Sequence, residues 1–220
     1  MERLCPLPQS GELCVIMARC NYATRMKAIN ELCLPENYDL IFWTNIISQG
    51  NSLILHKPSA TPTKSILAQD IVGYCLCSVD KPILEQRRID GKDSGDSGSD
   101  HSSDEELPLE RRWSAKADRE YARCNVYEAI IMSFAILPEY RNKGYGTKLL
   151  TALFNHLKHG HNNSPGAILQ TKPIWKTTLQ VRVGNVTAQK LYKQFGFTVT
   201  YTIKKYYSDG EDAYQMECFN

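Results

Sequence analysis

The chain has 220 residues, 42% of them hydrophobic and 23% charged, with a formal net charge of +2. This composition fits a soluble globular chain and excludes collagen-like, coiled-coil and wholly disordered classes, and no run of about 18 apolar residues offers a membrane span. The net charge hides a segregation: residues 90–106 hold seven acids and one base, a local −6, which leaves +8 on the other 203 residues, so a basic folded body is expected beside an acidic segment.

In chain order, residues 13–18 (LCVIMA) read as a first strand. Tyr22, Met26, Ile29 and Cys33 then share one face of a helix, which Pro35 stops. A second helix is predicted over 40–47, with Leu40, Trp43, Ile46 and Ile47 clustered. Short strands follow at 52–55 and 71–79, joined by a polar Pro/Thr/Lys/Ser connection. Residues 93–104 contain only Asp, Ser, Gly and one His. Such a segment buries too little apolar area to offset its ordering entropy, so disorder is expected there. Leu109, Trp113, Ala117 and Tyr121 recur at helical spacing and suggest an inserted amphipathic helix. A long strand at 126–137, a helix, a polar loop at 159–173, a strand at 178–183, a helix at 186–195 and two closing strands complete a mixed α/β order. The eight cysteines form no CxxC pair and mostly sit in apolar stretches, which suits a reducing, cytoplasmic compartment. No secretory leader is read at the N-terminus.

The sharpest local feature is LPEYRNKGYGTKLL, residues 137–150. A strand ends at Pro138, and Arg141, Asn142, Lys143, Gly144, Tyr145, Gly146 and Thr147 open a helix with an apolar face of Leu149, Leu150, Leu153, Phe154 and Leu157. Glycines at a helix start let backbone N–H groups approach a phosphate, and the helix dipole adds to the attraction. The turn is too short for a Walker A loop and lacks the third glycine of GxGxxG. From these residues alone two readings stand, a pyrophosphate cradle and a helix start whose glycines serve packing.

RxxGxG at this place resembles the acyl-CoA-binding signature (Arg/Gln-x-x-Gly-x-Gly/Ala) of the GCN5-related N-acetyltransferase superfamily. LQVRVGNVTAQKLYKQFGF, residues 179–197, resembles that family's second half: a strand, an Asn, an amphipathic helix with a Tyr, then Gly-Phe. LCLPENYD (32–39) and YYSDGEDAYQM (206–216) are similar to the substrate-side loop and the C-terminal hairpin of the catalytic subunit of N-terminal acetyltransferase A (NatA). Where the family usually has RRxGxA this chain has RNKGYG, and Gln180 stands where the strand motif usually has His.

The resemblance implies an α/β fold of the GCN5-related N-acetyltransferase type, a mixed central sheet splayed between two strands with flanking helices. It implies one acetyltransferase domain over 1–220, with a polar acidic insertion at about 85–123 and loop insertions at about 56–69 and 159–176. Acetyl-CoA would lie in the splay, with no metal. Arg141 to Thr147 would hold the pyrophosphate, backbone groups of Phe134, Ala135 and Ile136 the pantetheine arm, and Asn185 would contact the cofactor. Tyr192 would act as general acid toward the leaving thiolate, with a plain core tyrosine as the other reading. Leu34, Pro35, Glu36, Tyr206 and Tyr207 would line the peptide side, with Glu36 orienting or deprotonating the amine through water and Gln180 holding that water.

The implied activity is acetylation of protein N-termini: Ser, Ala, Thr or Gly after Met removal, and acidic N-termini when the subunit acts alone. The implied partners are a helical-repeat auxiliary subunit and, through it, the ribosome, with no membrane and no direct nucleic-acid contact. The alternatives are a different N-terminal specificity (Met followed by Asp or Glu) and a non-catalytic acyl-CoA-binding subunit. His156, His159 and His161 read as solvated rather than metal-binding, Ser102 and Ser103 as part of the disordered acidic stretch or as sites for an acid-directed kinase, and the basic run at 111–123 as a mixed-charge helix.

Overall fold

The computed structural model describes residues 12–58, 66–80, 127–159 and 174–219. The expected amphipathic helix at 109–121, the acidic segment with Ser102 and Ser103, and most of the polar connections lie outside them. The described elements are β1 (Cys14–Met17), α1 (Ala23–Cys33), α2 (Leu40–Ser48), β2 (Leu53–His56), β3 (Ile71–Asp80), β4 (Tyr127–Ile136), α3 (Tyr145–His159), β5 (Ile174–Arg182), α4 (Val186–Gln194), β6 (Thr198–Ile203) and β7 (Ala213–Phe219). They build a seven-stranded sheet ordered β1-β2-β3-β4-β5-β7-β6. Every neighbouring pair is antiparallel except β4 and β5, which run parallel with α3 as the crossover.

Helices cover both faces. Under α1 and α2 lies a core of Met26, Ile29, Trp43, Ile54, Ile71, Tyr74 and Leu76. Under α3 and α4 lies a second core of Leu149, Leu150, Leu153, Leu179, Tyr192, Phe197 and Met216. The i, i+3, i+4 leucines of α3 therefore bury one stripe, each at about 2 kcal/mol of apolar transfer. α1 closes with Leu34 N–H on Asn30 C=O at 2.8 Å, one residue before Pro35. Asp39 caps α2, its Oδ1 accepting from Phe42 N–H at 2.7 Å.

Two departures from the sequence reading shape the sheet. β5 begins at Ile174, four residues before the expected strand, so the end of the loop insertion expected at about 159–176 is strand. Lys176 made that stretch look solvated, yet its side chain is 8% exposed, with Glu128 and Glu217 at 3.7 and 3.6 Å. The second departure is a bulge in β4. Leu76 pairs with Ser133 and Cys77 with Ile131, so Met132 is an extra residue opposite β3. A bulge bends its strand, and β4 parts from β5 at this point: their pairing ends at Ile131 and Leu179. Beyond it β4 continues against β3, and Gln180 to Arg182 continue against β7.

No helix among the described residues is long and apolar enough to cross a membrane. Among them, too, no group of His, Cys, Asp and Glu is arranged to hold a metal ion. His156 lies with Nε2 3.2 Å from the Gly50 carbonyl. Cys75 and Cys77 are buried free thiols, the latter pushed up to about 12 by burial.

Candidate functional site

The splay opens a cavity of about 660 Å³, walled by β4, β5, the glycine turn, α4, the loop after α1 and the loop between β6 and β7. At its β4–α3 end, Lys148 N–H is the donor that closes onto Gly144 C=O, at 3.0 Å. The N–H groups of Tyr145, Gly146 and Thr147 are thus the free donors of a helix start. The chain reaches them through two left-handed residues, Asn142 (φ 58°) and Gly144 (φ 78°). The two glycines have different reasons. A Cβ on Gly144 would meet nothing within 4 Å, so its requirement is the backbone angle beside open space. A Cβ on Gly146 would stand 3.0 Å from Leu191 Cδ2, so its requirement is the close approach of α4. Packing thus accounts for Gly146, while Gly144 leaves open space beside the free donors. Arg141 lines the cavity while its Nε donates to Ile136 C=O at 2.8 Å, bracing the end of β4.

Tyr192 lies on the α4 wall, 6% exposed, edge-on to Phe134 at 6.4 Å. Its hydroxyl makes no hydrogen bond among the described residues. Burial, with smaller contributions from Cys75 and Tyr207, holds the phenol well above its ordinary value, so the proton stays on at neutral pH. On β5, Gln180 Nε2 donates to Gln215 Oε1 at 2.7 Å. Asn185 caps α4, its Oδ1 accepting from Ala188 N–H at 3.2 Å, and also lines the cavity.

The far end is organised by Arg182, the last residue of β5. Its Nε donates to Glu36 Oε1 at 3.1 Å and its Nη2 reaches the same oxygen. Nη1 donates to Asp209 Oδ2 at 2.8 Å and Glu211 Oε2 at 2.6 Å, and the guanidinium lies 3.9 Å from the centre of the Tyr207 ring. One arginine thus ties the loop after α1 to the β6–β7 loop. Glu211 is held below the usual carboxylate range by Arg182 and by Gly184 N–H; Asp209 is held there by Glu211 N–H and then Arg182. Tyr207 is raised by burial and by Glu36, and Tyr38 by burial, Tyr206 and Glu36.

The comparisons with known proteins bear on this geometry. Residues 113–199 match the acetyltransferase (GNAT) domain family. Over 200 residues the chain is 38% identical to an N-alpha-acetyltransferase of Saccharolobus solfataricus, covering 90% of this chain and 88% of that protein. The chain belongs to the GNAT N-alpha-acetyltransferases. It is also 26% identical over 209 residues to the Arabidopsis thaliana N-terminal acetyltransferase A complex catalytic subunit NAA10, covering 93% of this chain and 76% of that one. Arabidopsis thaliana NAA60, solved with acetyl-CoA, shares the fold at a TM-score of 0.64 and 14% identity, covering 95% of this chain and 100% of that one.

In this N-alpha-acetyltransferase the free N–H groups, the open space at Gly144 and the half-apolar gap fit the phosphates and the extended arm of acetyl-CoA. Of the residues expected at the site, Leu34, Glu36, Phe134, Ala135, Ile136, Arg141, Asn142, Gly144, Gly146, Thr147, Gln180, Asn185, Tyr192, Tyr206 and Tyr207 line the cavity. Pro35, Lys143 and Tyr145 do not; Lys143 Nζ donates to Glu139 C=O at 2.8 Å, outside it. The sequence reading missed Arg182, Tyr38 and Ser133 on the wall. Arg182 stood in plain view in the LQVR strand motif, but its three carboxylates come from residues 36, 209 and 211.

Proposed function

We propose that the chain carries acetyl from acetyl-CoA to the α-amine of Ser, Ala, Thr or Gly N-termini exposed by Met removal, a NatA-like specificity, by direct attack of the amine on the thioester. The observation that carries this reading is the acceptor end of the cavity. It is walled by Leu34, Tyr38, Tyr206 and Tyr207 and closed by Arg182, bulky walls that favour a small first side chain.

In this reading the Gly146 and Thr147 N–H groups hold the pyrophosphate, and backbone groups of Phe134 to Ile136 hold the pantetheine arm and polarise the carbonyl. Glu36, with one carboxylate oxygen taken by Arg182, orients the amine with the other. Gln180, its amide nitrogen taken by Gln215, offers its carbonyl oxygen to the amine or to a water that removes the proton. Tyr192 donates its proton to the departing thiolate as the C–S bond breaks. A weak base suffices for this substrate. An α-amine of pKa about 7.7–8.0 is roughly 15–25% neutral at pH about 7.2, against less than about 0.1% for a lysine.

A single domain working in the cytoplasm on a helical-repeat auxiliary subunit at the ribosome is part of the proposal. The similarity to the catalytic subunit of a complex supports it, as do Leu32 and Ile41 on α1 and α2, each 70% exposed. The test is acetyl-CoA turnover on peptides beginning Ser, Ala, Asp, Glu and Met-Asp, with and without auxiliary subunit. The highest kcat/KM is expected on Ser and Ala in the complex. A preference for Met-Asp in both settings replaces this specificity with the other one. A failure to release CoA with every one of these peptides sinks the catalytic assignment and leaves an acyl-CoA-binding subunit.

A further inference from the structure

Past Ile131 and Leu179 the two central strands are unpaired, yet a chain of polar contacts reconnects them on the acceptor side. Ser133 in β4 donates from Oγ to Asn30 Oδ1 at 3.0 Å and lies 2.8 Å from the Tyr74 hydroxyl. Tyr74 donates to the same Oδ1 at 2.7 Å. Asn30 Nδ2 in turn donates to the Glu36 carbonyl oxygen, and to Asn37 Oδ1 at 3.1 Å. The Glu36 carboxylate then meets Arg182, at the end of β5. The path Ser133, Asn30, Glu36, Arg182 spans the opening, with Tyr74 bracing its first link.

Asn30 uses its whole amide, two bonds accepted and two donated. It is 1% exposed and Tyr74 is 0% exposed, and neither lines the cavity. Burying such a polar set gains little over apolar residues of the same volume. What a leucine at 30 or a phenylalanine at 74 would fail to supply is direction: the Glu36 loop would sit on the core without a fixed distance to β4. Acyl transfer is sensitive to that distance, since a misplacement of about 1 Å costs about 100-fold in rate.

We propose that Asn30 and Tyr74 are positioning residues for the transfer. Acting through Glu36, they set the spacing between the acceptor wall and the thioester lying against β4. The proposal rests on the acetyl-transfer reading above. Its test uses Tyr74→Phe, which removes one hydroxyl and keeps the ring, alongside Asn30→Leu and Ser133→Ala. With the peptide that wild type acetylates fastest, kcat/KM is expected to fall about tenfold or more in Tyr74→Phe and Asn30→Leu, while acetyl-CoA affinity by calorimetry stays within about twofold. A CoA–peptide conjugate, binding wild type more tightly than CoA does, is expected to lose most of that advantage in the same variants. A merely structural role would lower the melting temperature and leave the kinetics and the conjugate's advantage in place, which overturns the proposal. Should Asn30→Leu fail to fold, Tyr74→Phe and Ser133→Ala carry the test. A conjugate that binds wild type no more tightly than CoA overturns both this proposal and the reading beneath it; an advantage kept by every variant overturns this proposal alone.

Discussion

A phenolate in an apolar wall loses its hydration, so burial keeps the Tyr192 proton in place. Its hydroxyl bonds to no described residue, so removing it costs little stability. Tyr192→Phe is therefore expected to lower kcat about 100-fold while the melting temperature and acetyl-CoA affinity hold. A drop in stability with kcat preserved would return Tyr192 to a core role. Gln180→His places a stronger base at the acceptor end and should raise turnover most at and just above pH about 6.5, where the imidazole is neutral and the α-amine is still mostly protonated; an unchanged pH–rate profile counts against Gln180 as the water's holder. Arg182 supplies a pH test with a definite sign. Asp209 and Glu211 are depressed in the folded state, so their contribution to stability is present above the unfolded carboxylate range and is lost as pH falls through the folded values. The difference in urea midpoint between wild type and Arg182→Gln should be constant from about pH 7 to 5 and shrink below about pH 4. A difference that grows toward acid pH would reject the clamp. This constellation was hidden from the sequence because its four charged members are separated by up to 175 positions and meet only when two loops close over a strand end.

At the scale of elements, the glycine turn was legible because its requirements are local: a left-handed angle at Gly144 and a helix start at Tyr145. The two glycines should respond differently. Gly144→Ala forces a side chain into the left-handed region, costing about 1 kcal/mol in denaturant unfolding, and should raise the KM for acetyl-CoA. Gly146→Ala presses on Leu191 and should act through α4, lowering kcat because Tyr192 and Asn185 ride on that helix. Equal effects of both on cofactor KM alone would argue against this division. Other element features were not legible. Lys176 disguised the start of β5, since its burial depends on Glu128 and Glu217 from other strands. Residues 129–132 of β4 form an unbroken apolar run, so nothing local announces a bulge at Met132. The helix boundaries fared better, since Pro35, Asp39 and Asn185 act on their own neighbours.

Over the whole molecule the charge segregation sets the terms for an anionic co-substrate. Deleting 89–106 removes the −6 segment. It should lower the KM for acetyl-CoA at about 0.01 M salt, where screening extends to about 30 Å, and the gain should fade at about 0.15 M. An unchanged KM at low salt rejects electrostatic masking. The molecule also carries two cores, one on each face of the sheet, and β4 serves both. Ile131 belongs to the core under α3, while Phe134, three positions on, turns toward Tyr192 on that same side. In an unbroken strand, side chains an odd number apart point opposite ways; the extra residue at Met132 is a phase slip that reverses the parity. The same slip turns Ser133 to Tyr74 and Asn30. Deleting Met132 would restore the regular pleat and leave Ile131 and Phe134 two apart on one face, but it would take away the bend at which β4 parts from β5, so the length of β4 shapes the cavity as much as its side chains do.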